Sequence, residues 1–68
     1  MAAIKTIELV GVSSENWTDA AQKALAEAAK TLRGIEAMEI LDQTAIVRDN
    51  IIVEYQATCR IRFRLEDR

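Results

Sequence analysis

Arg60, Arg62 and Arg64 stand at every second position near the end of this 68-residue chain. In a strand that spacing puts all three on one face. They could receive a phosphate or another anion. They could equally be neutralised by inter-subunit salt bridges to Glu36, Glu39 or Glu54, because cations crowded on a closed face require partners. Gln56 falls in the same polar series, where its amide could serve a ligand edge or a cross-strand neighbour. Glu39 and Asp42 offer oxygen ligands of the kind calcium or magnesium takes, without an EF-hand-like loop. Trp17 is either a flat ligand platform or a packing group at a helix start. Cys59 belongs to an apolar series and reads as a buried, inert thiol. Catalysis is not expected. The chain has no histidine, no nucleophile–base pair and no glycine-rich phosphate loop.

The elements that position these residues are constrained by size. A chain this short buries only about 60% of the surface its unfolded form exposes. Below roughly 70–80 residues one core rarely supplies more than about 3–5 kcal/mol. Disulfides cannot help, with a single cysteine, and a tetrahedral zinc site cannot form from one cysteine and no histidine. Self-assembly is the remaining route to stability. The net charge of −2 gives no footprint for nucleic acid. No apolar run is long enough for a membrane span, Met1–Lys5 does not read as a signal peptide, and the lone thiol suits a reducing compartment. The expectation is a cytoplasmic protein of one domain, residues 1–68, with no nucleic-acid or membrane partner.

Period and punctuation predict the order β-α-β-β. Ile4–Val10 reads as a short strand, with Ile7 and Leu9 on one face and Ile4, Thr6, Glu8 and Val10 on the other. Gly11 is expected to break it, and Ser13–Asn16 to form a turn, with Asn16 as N-cap. A helix is expected from Trp17 to Leu32, its stripe running through Ala21, Leu25, Ala28 and Leu32 and widened by Ala20, Ala24 and Ala29. Gly34 suits the end of that helix. Ile35–Arg48 alternates imperfectly, which suggests a bulge. Asp49-Asn50 suits a tight hairpin turn. The last strand is unambiguous: Ile51, Val53, Tyr55, Ala57, Cys59, Ile61, Phe63 and Leu65 alternate with a mostly polar set. Those fifteen residues span roughly 45–50 Å, whereas a compact chain of this length has a radius of gyration near ~11 Å. The strand must overhang its own helix.

From Ile4 to Glu66 the sequence resembles the dodecin family. The resemblance is carried by Glu8 through Gly11 with Ser13, Trp17 with Ala20-Ala21, Lys30-Thr31, Glu39, Tyr55-Gln56 and Phe63-Arg64-Leu65-Glu66. It implies an α+β protomer, an antiparallel three-stranded sheet wrapped on one helix. It further implies a hollow homododecamer, with helices outside and polar strand faces inside. Dodecins sequester flavins rather than transform them. Two stacked rings lie in each pocket at a two-fold axis, between tryptophans, with a glutamine amide at the ring edge.

Carried over by residue, Gln56 falls at that glutamine, Asp42 at an acidic position facing the ribityl chain, and Arg64 at an arginine that meets the phosphate of FMN. Ala37 falls where the stacking tryptophan stands, and Thr44-Ala45 where many bacterial members read Arg-Gly. Loss of an aromatic wall forfeits about 1–3 kcal/mol per stack. The resemblance therefore implies a binding and storage protein for FMN or riboflavin with weakened affinity. Residual binding would rest on ring-on-ring stacking or on Met38 reaching into the space. The alternative is a flavin-independent scaffold or a calcium-binding relative.

Overall fold

The computed structural model describes residues 2–66. Strand β1 spans Ala2–Ser13, helix α1 Trp17–Ala29, strand β2 Ile35–Arg48 and strand β3 Ile51–Glu66. The three strands form one antiparallel sheet in the order β1-β3-β2, so the most regularly alternating strand is also the central one. One face carries the helix. Ala57, Cys59, Ile61 and Phe63 of β3 are buried there, against Ala20, Ala21, Ala24 and Ala28, with Leu9 and Met38 packed at the margin. No helix among the described residues is long and apolar enough to cross a membrane.

The strand β1 outruns its expected bounds at both ends. Gly11 does not break it but pairs with Ala57 in the ladder. Its role is close approach. A Cβ at Gly11 would lie 1.8 Å from the carbonyl oxygen of Ala20 and 3.1 Å from Cβ of Ala24. The helix thus rests its backbone on the sheet, and small residues on both sides make that possible.

Helix α1 ends at Ala29, three residues before the expected Leu32. The amides of Lys30 and Thr31 donate to the carbonyls three residues back, Glu27 and Ala28, which tightens the last turn and ends the α-helix. Gly34, at φ +74°, carries the left-handed turn into β2, and its carbonyl accepts from the amide of Arg64.

The other end is fastened as expected. The Asn16 side chain accepts from the amide of Asp19 at 2.7 Å. Ser13, almost wholly buried, accepts from the amide of Glu15 at 2.9 Å and donates to the Asp19 carboxylate at 2.6 Å. That bond, and Lys23 beside it, hold the Asp19 carboxyl below the usual carboxylate range.

The hairpin turn carries φ of 52° at Asp49 and 62° at Asn50, both in the left-handed region that a two-residue turn of this twist needs. Strand β2 is irregular as anticipated, with Glu36 and Leu41 left out of its pairing with β3, and a third shift, between Ile46 and Val47, leaves out Val53 of β3. The molecule measures 54 × 19 × 13 Å with a radius of gyration of 14.2 Å, well above that of a compact chain of its length. The overhang is the cause: at the hairpin tip Ile51 is 63% exposed, with Val47, Ile52 and Val53 exposed around it.

Two outcomes test this account. Gly11→Ala should destabilise the fold by about 1–3 kcal/mol or more, read from the urea midpoint, because the helix must lift off the sheet. An unchanged midpoint would show that the close approach is not maintained. Ser13→Ala should raise the Asp19 pKa toward its ordinary value in an NMR titration. Because the folded value is depressed, the Asp19 contribution to stability is full above the ordinary carboxylate range. It is lost as pH falls through the folded value.

Candidate functional site

The ladder decides which side chains meet, because directly opposed residues share a face. Opposite the helix lies an open face. It holds Thr6, Glu8, Val10 and Val12 of β1 and Gln56, Thr58, Arg60, Arg62 and Arg64 of β3. From β2 it holds Ala37, Glu39, Asp42 and Thr44. All four expected site residues, Ala37, Asp42, Gln56 and Arg64, therefore stand on one side of the sheet. Bulges in β2 achieve this: without the shift between Ile40 and Asp42, Asp42 would keep the parity of Ile40 and turn to the helix side.

Sharing a face is not convergence. Thr44 lies opposite Gln56, Asp42 opposite Thr58 and Ala37 opposite Arg62. From Gln56 to Arg64 is eight residues of strand, about 26 Å at ~3.3 Å per residue. Gln56 and Asp42 are diagonal neighbours, but Arg64 is far from both. One chain therefore offers a strip of groups rather than a closed pocket. A cleft of about 210 Å³ lies on the helix side, lined by Trp17, Thr18, Ala21, Ile40, Gln43 and Ala57, and holds none of the four residues.

The arginines do not all stand in the same surroundings. Two of the expected carboxylates, Glu39 and Glu36, already pair with Arg60 and Arg64 within one chain, and Glu8 joins them. Arg60 lies between Glu8, at 3.3 Å, and Glu39, at 3.6 Å, its direct neighbours across the ladder. Arg64 donates to Glu36 through Nε at 3.1 Å and through Nη2 at 3.4 Å. These pairs are well exposed, so each contributes no more than about 1 kcal/mol; they order the face more than they stabilise it. Arg62 differs. Its cross-strand neighbours are Thr6 and Ala37, both uncharged, and among the described residues no carboxylate pairs with it. The sequence presents the three arginines as equivalents; only the register separates them.

Gln56 is half-buried, and its Nε2 donates to Glu54 at 2.8 Å. Its amide oxygen is thereby oriented and left to accept from a ligand N–H. Asp42 is exposed, and its Oδ1 accepts from the amide of Gln43 at 3.1 Å. Glu39 and Asp42 share the face, but no group of three or more metal-ligating side chains forms among the described residues. Met38 corrects an expectation. It opposes Ile61 and packs on the helix side, so it cannot reach the space at Ala37.

Trp17 is a packing group. Its ring meets Tyr55 edge-to-face at 4.9 Å, and its Nε1 donates to the carbonyl of Thr44 at 3.2 Å. Cys59 is fully buried, and that burial pushes its thiol pKa up, as an inert thiol requires.

A short β-α-β-β protomer, packed on one sheet face and open on the other with a strip of polar groups, is the class that fold and site define. The family model named Dodecin matches residues 3–66, and the chain belongs to the dodecin family. It is 40% identical over 63 residues to dodecin from Thermus thermophilus, covering 93% of this chain and 91% of that one.

The crystal structure of a T. thermophilus protein superimposes with a TM-score of 0.92 at 37% identity, covering 100% of both chains. A tryptophan-to-phenylalanine variant of T. thermophilus dodecin gives a TM-score of 0.91 at 37% identity, over 98% of this chain and 100% of that one. Calcium dodecin from Mycobacterium tuberculosis, described as calcium chelating with a novel calcium-binding site, gives 0.82 at 22% identity, over 94% of this chain and 91% of that one. That last likeness concerns the fold alone.

Proposed function

We propose that this chain assembles into a hollow homododecamer and serves as a non-catalytic binding and storage protein for a flavin, FMN or riboflavin. The observation that carries the reading is the co-facial placement of Ala37, Asp42 and Gln56 on the open face of a dodecin protomer. Gln56 would hold the ring edge, its oriented amide oxygen accepting from the imide N–H. Asp42, one diagonal step away, would accept from the ribityl hydroxyls. Arg64 would reach the phosphate of FMN only from another copy, given its distance along the strand. The overhanging apolar hairpin supports assembly, since a copy's surface must cover Ile51, Val53 and their neighbours. The bound flavin supplies a flat, stackable ring; the chain positions and shields it. Affinity is weakened because Ala37 has only a methyl group where a stacking wall is expected. Calcium binding is the second reading, favoured by the oxygen ligands that Glu39 and Asp42 place on the same open face, with further carboxylates from other copies.

Assembly is checked by light scattering, where the mass should be about twelve times the 7.6 kDa of one chain. A monomeric mass would refute the shell. The ligand is checked by Ala37→Trp, which should tighten FMN and riboflavin binding about tenfold to a hundredfold and quench their fluorescence. If the variant gains nothing, the flavin reading is lost, and a calcium-dependent rise in Tm would establish the second.

A further inference from the structure

The open face carries three arginines in two states. Arg60 is held between Glu8 and Glu39, and Arg64 is held by Glu36. Arg62, between them, is exposed and has no carboxylate partner among the described residues. Its direct neighbour across the ladder is Ala37. Cβ atoms of directly opposed residues lie about 4.5–5.5 Å apart. The long Arg62 side chain therefore stands beside the smallest side chain at the seat proposed for the ring, and no carboxylate among the described residues holds its guanidinium elsewhere.

A guanidinium is planar, delocalised and weakly hydrated, and it stacks on aromatic faces. Arginine planes serve as stacking platforms for unstacked nucleobases. We infer that Arg62 is the stacking residue of this seat: its guanidinium lies flat on the ring where Ala37 provides no aromatic wall. The ligand class is a flat heteroaromatic with an accessible face. The inference rests on the flavin reading and names the residue that makes it workable in this chain. A contact with the phosphate is less consistent with the register, which puts Arg62 level with Ala37 at the ring, not at the end of the strip.

The test is calorimetric titration of FMN and of riboflavin, separately, into the assembled protein and its Arg62→Ala, Arg62→Lys and Ala37→Trp variants. Position 62 is exposed, so the variants should assemble normally, which light scattering verifies. Arg62→Ala should weaken both ligands about tenfold to a hundredfold. Arg62→Lys should weaken both nearly as much, because an ammonium keeps the charge and lacks the plane. If only FMN weakens and lysine restores it, Arg62 meets the phosphate and the inference is overturned. Unchanged affinity for both ligands overturns it too, with the flavin reading intact. If the unmodified protein binds neither ligand, the role of Arg62 falls. Binding by Ala37→Trp then keeps the flavin seat, and no binding there removes both.

Discussion

The length of β3 governs the molecule. A helix of 13 residues at about 1.5 Å each is about 20 Å long, whereas a strand of 16 residues at about 3.3 Å each exceeds 50 Å. The helix cannot cover the strand it packs on. Both ends of β3 overhang it, and at the hairpin tip Ile51, Ile52 and Val53 are all exposed although the apolar series of β3 continues into them. On the proposed reading, a strand patterned for burial along its whole length, in a chain able to bury only part of it, is covered by another copy. The same excess makes the open face long enough to carry separate groups at separate heights.

Where the helix does cover the sheet, contact is as close as backbone allows. Gly11 beneath the carbonyl of Ala20, with Ala24 beside it, brings the two layers together by removing side chains rather than interlocking them. Close approach gains dispersion per unit of area but buries little area. Ile61 and Cys59 are the largest fully buried side chains. The fold therefore spends its best contact on orientation. With Ser13, Asn16 and Asp19 locking the strand-to-helix connection, the sheet is fixed relative to one end of the helix, and the open face inherits that rigidity.

Much of this was legible in the residues. The period-two run from Ile51 to Leu65 announced a long strand with one apolar face, Asn16 announced the helix start, and Asp49-Asn50 announced the turn. Gly11 misled because a glycine near a strand end carries the same signature whether it breaks the strand or admits a close neighbour; only the neighbour tells them apart. The arginine partners are partly legible: Glu36 and Glu39 are among the expected carboxylates, and Glu8 is not. Alternation gives the face of each residue but not its height. Which carboxylate stands level with Arg60 depends on two residues left out of the pairing between it and the hairpin turn, Leu41 in β2 and Val53 in β3, whose positions imperfect alternation does not fix. Met38 is placed by alternation alone: it follows Ala37 directly in the ladder and so faces the other side.

Register also separates two kinds of recognition on the open face. Polar groups such as Gln56 and Asp42 take their positions from the backbone ladder, so a change at Ala37 does not move them. Stacking, in contrast, depends on whichever side chain can lay a plane over the ring. On the proposed reading, edge recognition and face recognition are therefore independent, and the second can be transferred across the ladder without disturbing the first. The charge pattern permits such a transfer at one height only. Arg60 and Arg64 are tied down by Glu8, Glu39 and Glu36, and moving either would strand a carboxylate. Arg62 has no such partner among the described residues, and the small side chain of Ala37 across the ladder leaves it room.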